Sequence, residues 1–449
     1  MNDMVKGSPK KILLLFMIPV LLGNLFQNFY NIADIMIVGR YLGVDALAAV
    51  GMTGSITFLV IGWIQGLTSG FGVLLAQAFG AKDQSRFRHY NIVSGYLCVA
   101  FAIVMSVGLL LGNDIILKLM NTPEGIFSDT KSYIGIIYAG LPATILYNML
   151  AATARAMGDS KTPLYFLMLS SVINIGLDIL FVGYLPFGVA GAGYATVISQ
   201  AISGVLCYIY IRKKYPEIRF RREEGGFKLY TCYKLLGMGV PMGLQFSITA
   251  LGTMIVQSAL NQLGSIYIAA FAGSMKIQNL FIQFSVAMGA AIANFAGQNY
   301  GAGRIDRVKE GVRASLVITV IYGAFVMIMA YFVCPYAIVL FADDPTGELV
   351  EISRQIFHIC TWFYIPLGLI FVYRNVLQGI GNGLVPMLGG IFELFARGMV
   401  IVLLFPSLQF VGVCLADPMA WIFALIPLIP YYYWYMHKLS KKNSMEATL

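Results

Sequence analysis

A chain of 449 residues that is 59% hydrophobic and only 11% charged cannot be a soluble globular protein, which carries about 25% charged residues. The formal charge of +9 does not point to nucleic acid, because the basic residues lie in short loops between apolar runs and not on one patch. Cys98, Cys207, Cys232, Cys334, Cys360 and Cys414 are scattered without a C-x-x-C, which indicates neither a disulfide framework nor a zinc site.

Apolar runs of roughly 20 residues recur along the chain, the length that crosses the hydrocarbon core as a helix. Twelve spans are predicted, at about 12–38, 46–78, 91–112, 131–153, 162–183, 188–211, 232–260, 266–297, 312–334, 351–378, 384–405 and 411–436. Lys6, Lys10 and Lys11 precede the first run as in a signal peptide. That run is too long for one, so it is read as an uncleaved first span. With the N-terminus in the cytoplasm, most of the 30 Lys and Arg fall in or beside cytoplasmic segments, including Arg374 at the end of span 10. Only Arg40, Lys118, Lys131 and Arg354 fall outside, while Lys276 and Arg397 lie within spans. The acidic loop 334–351 is also outside. This asymmetry sets both termini in the cytoplasm of a multi-pass cell-membrane protein.

The chain resembles itself at an offset of about 222. "ARAMGDSKTPLYFLML" (154–169) aligns with "LQGIGNGLVPMLGGIF" (377–392), with Gly158 and Pro163 matching Gly381 and Pro386. "AQAFGAKDQSR" (76–86) aligns with "GQNYGAGRIDR" (297–307), and Pro19 with Pro241. Each copy holds six spans and starts on the same side, so the repeats are parallel, a transporter arrangement. The predicted fold is an all-α integral membrane protein of twelve transmembrane helices in two six-helix lobes. The N-lobe is 1–211, a basic cytoplasmic linker is 212–231, and the C-lobe is 232–449.

The first span contains "NLFQNFYNIADIMIVGR" (24–40). On a helical wheel Asn24, Gln27, Asn28, Asn31 and Asp34 share one arc of about 120°. Such a stripe must face the bundle interior or a wet cavity. Amides alone also suit a polar seam between helices. Asp34 adds a charge that costs about 2.5–3.5 kcal/mol in mid-span unless it is paired, protonated or bound to a cation. Span 5 offers Asn174 and Asp178 one turn apart, and span 6 offers Thr196. Counted at 1.5 Å per residue, Asp34, Asp178 and Thr196 agree in depth within about 5 Å. Two carboxylates, an amide and a hydroxyl make a hard-oxygen site for a shared proton or an alkali cation. The second half has instead Lys276 with Glu393 and Arg397. The last two are spaced i,i+4 to pair, and the trio is read as a structural ion cluster, with a coupling role as the alternative.

"ADIMIVGRYLGVDALAAVG", "RAMGDSKTPLYF…NIGLDILFVG" and "FAGQNYGAGRIDRV" closely resemble the multidrug and toxic compound extrusion (MATE) family, over almost the whole chain. The resemblance implies a V-shaped pair of lobes that export organic, often cationic compounds in exchange for Na⁺ or H⁺. It implies that Asp34, Asn174, Asp178 and Thr196 form an N-lobe cation site, and that the first helix bends at Pro19. The sequence lacks the acidic residues in helices 7 and 10 of one branch, which favours coupling in the N-lobe. Amphiphilic drugs, often organic cations, are the expected substrates, with Tyr30 and the neighbouring Asn24, Gln27, Asn28 and Asn31 lining the cavity. The chain is expected to act as a monomer in the lipid bilayer, with no cofactor and no transition metal.

Two other readings compete. A flippase for a lipid-linked glycan or other lipid-like substrate needs cavity cations for pyrophosphate, and only Lys276 and Arg397 offer them. An integral-membrane enzyme lacks its chemistry. His89, His358 and His437 are far apart, and there is no H-E-x-x-H, no G-x-S-x-G and no P-loop.

Overall fold

The computed structural model describes residues 3–216, 219, 226, 228–337 and 347–446. Residues 217, 218, 220–225 and 227 of the expected basic linker and 338–346 of the acidic loop lie outside the described residues. Among the described residues the regular structure is helical throughout. The helices are α1 Pro9–Leu42, α2 Val44–Met52, α3 Gly54–Gly80, α4 Gln84–Leu119, α5 Glu124–Ala139, α6 Leu141–Ala156 and α7 Lys161–Asp178, which runs into a π turn at Ile179–Tyr184. They continue as α8 Gly188–Lys214, α9 Leu229–Leu260, α10 Ser265–Gly301, α11 Ile305–Phe332, the short α12 Cys334–Ala337, α13 Gly347–Thr361, α14 Tyr364–Gly379, α15 Leu384–Leu408 and α16 Phe410–Glu446.

Ten of these segments are long and apolar enough to cross a membrane, and two bent pairs bring the number to twelve. The bends are predicted spans 4 and 10. α5 and α6 meet at 46°, and α13 and α14 at 51°. Each second helix carries a proline near its start, Pro142 and Pro366. A proline has no N–H for the preceding turn and its ring crowds the carbonyl there, so the helix breaks just before it.

The repeat shows in the way helices end. Gly158 (φ 80°) and Gly381 (φ 92°) adopt the left-handed backbone that glycine takes without strain. Each closes the preceding helix with the same two bonds. Gly158 N donates to Arg155 O and Asp159 N to Ala154 O; Gly381 N donates to Gln378 O and Asn382 N to Leu377 O. This pattern satisfies the last orphan carbonyls of a helix. The next residue then caps the following helix, as Asp159 Oδ1 accepts from Thr162 N and Asn382 Oδ1 from Val385 N.

The chain divides into two compact units, one of Met1–Asp3 with Ile18–Gly243, the other of Met4–Met17 with Leu244–Leu449. The divisions fall inside α1 and α9, close to Pro19 and Pro241. In the first unit the start of α9 packs against α3 at backbone distance. A Cβ at Gly70 would lie 2.6 Å from Gly239 Cα, and one at Gly66 2.4 Å from Met242 O. In the second unit the arm before α1 is anchored by hydrogen bonds. Met4 is fully buried, and its N donates to Gln298 Oε1 at 3.1 Å. Its carbonyl accepts from Asn299 Nδ2 and Arg307 Nη2, and Arg307 Nη2 also reaches Gly7 O at 2.9 Å.

Asp159 ties the α6–α7 turn to the end of α8. Its Oδ2 accepts from Lys214 Nζ at 2.8 Å, Tyr215 OH at 2.7 Å and Thr162 Oγ1 at 2.6 Å. Burial by itself would push this carboxyl up, but the bonds from Lys214, Thr162 and Tyr215 outweigh it and hold the carboxyl at about 2, below its ordinary 3.8. The folded state therefore prefers the ionised form. The resulting stability is present above pH 4 and is lost as pH falls toward 2. Asp159→Asn is expected to lower stability at neutral pH by about 2 kcal/mol. It is also expected to flatten the part of the acid-side fall due to this group, which thermal unfolding of the purified protein across a pH series would show.

Candidate functional site

The first unit gathers the polar groups of three spans. Asp34 comes from the later half of α1, Asn174 and Asp178 from the end of α7, and Thr196 from α8. Asp34 is 8% exposed, Asn174 1% and Asp178 0%, while Thr196 is half-buried. The two carboxyls stand within hydrogen-bonding reach of each other. Asn174 Nδ2 donates to Thr196 Oγ1 at 3.4 Å. Asp34 Oδ1, both carboxyl oxygens of Asp178 and Asn174 Oδ1 are buried and accept from no protein donor. Asp178 is the last residue before the π turn, an irregularity that often marks functional positions in helices.

The rest of the α1 stripe grades outward. Asn24, Gln27, Asn28 and Tyr30 are half-buried, and Asn31 is exposed. Tyr30 hydrogen-bonds with Gln200 of α8, whose Oε1 accepts from Thr144 Oγ1 of α6 at 2.5 Å. Tyr133 of α5, 8% exposed, lies close enough to Asp34, Tyr30 and Asp178 to interact with their charges. Sequence reasoning named Tyr30 but not Gln200, Thr144 or Tyr133. For Gln200 a signal existed, since it follows Thr196 by one helical turn on the same face.

Among the described residues the second unit has no such open pair. Val256 and Ile401 stand where the repeat would place Asp34 and Asp178. Glu393 and Arg397 do meet, at 3.6 Å, but the closer partner of Glu393 is Arg374 of α14. Arg397 Nε in turn donates to Asp417 Oδ1 of α16 at 2.8 Å. Arg374 and Asp417 thus join Glu393 and Arg397, two charges of each sign, and the side chain of Lys276 on α10 is exposed. Arg374, read from sequence as a charge at the membrane edge, is instead 7% exposed. A buried glutamate and a buried arginine each need an opposite charge, and these two satisfy one another.

The MatE family model matches the chain twice, over residues 19–180 and 241–404, the same offset as the internal repeat. The probable multidrug resistance protein YoeA of Bacillus subtilis is 30% identical over 440 residues, covering 95% of this chain and 94% of its own length. The probable multidrug resistance protein YpnP of the same organism is 28% identical over 380 residues, 84% of each. Among solved structures, the outward-facing conformation of a multidrug resistance MATE family transporter of the MOP superfamily has a TM-score of 0.91. It is 21% identical and covers 98% of this chain and 99% of that one. The chain belongs to the MatE family. It is a multi-pass membrane transporter and not an enzyme, built on the family's all-α, twelve-helix fold.

The ion cluster of the second unit makes a stability prediction. Glu393→Gln leaves Arg374 without its carboxylate and Arg397 with Asp417 alone. It is expected to cost about 3–5 kcal/mol, read as a lowered thermal unfolding midpoint. Combining it with Arg374→Met is expected to restore part of the loss, because the unpaired charge is then removed.

Proposed function

We propose that the protein is a secondary antiporter that exports organic, often cationic and amphiphilic compounds in exchange for H⁺ or Na⁺. The observation that carries this reading is the Asp34–Asp178 pair, two buried carboxyls in contact, most of whose oxygens have no protein donor. Two like charges about 4 Å apart repel by about 4 kcal/mol even at an effective dielectric of 20. The pair therefore holds a proton or a small cation, and Asn174 and Thr196 supply further oxygen ligands. The names of the relatives, multidrug resistance proteins, support drugs as the exported class.

Coupling follows from competition for these carboxylates. When a proton or Na⁺ enters from outside, it neutralises the pair and weakens its hold on a cationic substrate. The empty-handed transporter then reorients, releases the ion inward and reloads. Each charge moving inward brings about 2.3 kcal/mol per 100 mV, and each pH unit about 1.36 kcal/mol. Both termini face the cytoplasm in this scheme, and the two six-helix halves alternate access with Pro19, inside the continuous helix α1, as the hinge. The half-buried Asn24, Gln27, Asn28 and Tyr30, with exposed Asn31, offer amide and phenol groups to the substrate. All these residues belong to one unit of one chain, so a monomer suffices. A flippase for lipid-linked glycans is less well supported, since Arg397, one of the two cations that reading relied on, is matched with Glu393 and Asp417.

The test is dye-cation transport in proteoliposomes under a Na⁺ gradient or a pH gradient imposed separately. Wild type is expected to respond to one of them, and Asp34→Asn to lose that response by about tenfold or more. Undiminished gradient-driven efflux in Asp34→Asn would overturn the assignment of the site.

A further inference from the structure

The first unit carries a second feature that the transport reading leaves unused. A groove of about 720 Å³ opens between α4, α5 and α8. Its α5 wall is ordered from polar to apolar along one face, from Ser128 through Lys131, Ser132 and Gly135 to Ile136 and Ala139. These residues recur every three or four positions, so they share one side of the helix. Leu110 of α4 and Val197 of α8 complete the apolar end. Tyr133, which approaches the carboxylate pair, lies on another face of the same α5.

At the polar end Lys131 is paired with Asp114 of α4, at 2.7 Å from Oδ1 and 3.0 Å from Oδ2. Both side chains are about half exposed, 49% and 51%. The wall here includes Asn113, 5% exposed. Its Nδ2 donates to Lys131 O at 3.2 Å, and its Oδ1 has no partner. Gly135 lines the same wall, where a Cβ would make an ordinary contact 3.5 Å from Asn113 Nδ2.

The groove has the dimensions and polarity of one lipid leaflet. From Ser128 to Ala139 the helix rises about 16 Å at 1.5 Å per residue, close to half of the roughly 30 Å hydrocarbon core. Lys118 in the last turn of α4 and the start of α5 mark the membrane edge at the polar end. An exposed ion pair holds itself together weakly, by about 0–1 kcal/mol, so it opens readily to a ligand that satisfies both partners. A zwitterion with a phosphate beside a primary ammonium does that. The phosphate meets Lys131 with the Ser128 and Ser132 hydroxyls, and the ammonium meets Asp114.

We propose that this groove is a binding site for a phospholipid with a primary-ammonium zwitterionic headgroup, phosphatidylethanolamine being the type, whose acyl chain lies along Ile136 and Ala139. A quaternary ammonium has no N–H to donate to Asp114, and a glycerol headgroup has no cation. Phosphatidylcholine and phosphatidylglycerol therefore bind less well.

Native mass spectrometry of the full chain, with each of these three lipids added at matched acyl chains, tests the site. Wild type is expected to retain phosphatidylethanolamine in preference to the other two. Lys131→Gln, a change at an exposed side chain, is expected to lower retention of all three by about fivefold. Asp114→Asn is expected to abolish the preference over phosphatidylcholine. Ala139→Trp, which fills the apolar end from an exposed position, is expected to block retention while leaving the lipid-free unfolding midpoint unchanged. Equal retention by wild type and Ala139→Trp would overturn the site. Retention of phosphatidylglycerol or phosphatidylcholine as strong as that of phosphatidylethanolamine would overturn the headgroup assignment.

Discussion

The structure depends on one constraint, which is that a charge inside hydrocarbon must find its neutraliser within reach. The two units meet it in opposite ways. In the second, Arg374, Glu393, Arg397 and Asp417 neutralise one another with covalently attached charges. Such a cluster balances its own charge, although Arg374 Nε and Arg397 Nη1 are buried without a hydrogen-bond partner. It is costly to break, and it has no demand for an outside ion. In the first, Asp34 meets Asp178, a charge of the same sign, and the oxygens around them are left without donors. That arrangement is unstable unless something mobile enters it. A buried pair of like charges is weak as a structural device and well suited to binding a proton or small cation, and the proposed coupling role rests on this physical difference between the two clusters.

The same economy governs the backbone. In a membrane an unpaired N–H or C=O has no water to turn to, so breaks in the helices are confined to a few places and solved locally. Pro142 and Pro366 interrupt corresponding helices, and Gly158 and Gly381 end them with the same two hydrogen bonds. Asp159 and Asn382 then start the next helix with the same cap. These solutions recur because the halves are copies. The two aspartates are not repeated, since Val256 and Ile401 stand at the matching positions, while the turn chemistry is.

Much of the site could be read from the sequence because it is written in local periodicity. The α1 stripe, the one-turn step from Asn174 to Asp178 and the shared depth with Thr196 all follow from helix geometry and residue counts. Tyr133, Thr144 and Gln200 were out of reach of that method. Each is a single polar residue in its own span, and which of its faces meets α1 depends on the rotation of one helix against another. Arg374 misled for a related reason. Near the end of a span an arginine serves equally as a headgroup contact or as a buried counter-ion, and only the position of Glu393 on α15 decides between them.

The sequence alone determined that this chain crosses the membrane twelve times, that its halves repeat, and that the first half carries two carboxylates inside its spans, expected at a similar depth. Those properties are sums over neighbouring residues, and hydropathy and helical phase carry them without knowledge of the fold. Tertiary structure alone decided that Asp34 touches Asp178 and that Arg374 closes the second cluster. It also decided that the first turns of α1 and α9 pack with the unit opposite to the one holding the rest of each helix, and that α4, α5 and α8 leave a groove between them. Each of these is set by the tilt and rotation of whole helices, through packing of glycine against backbone and of buried side chain against buried side chain, which no window along a single segment contains.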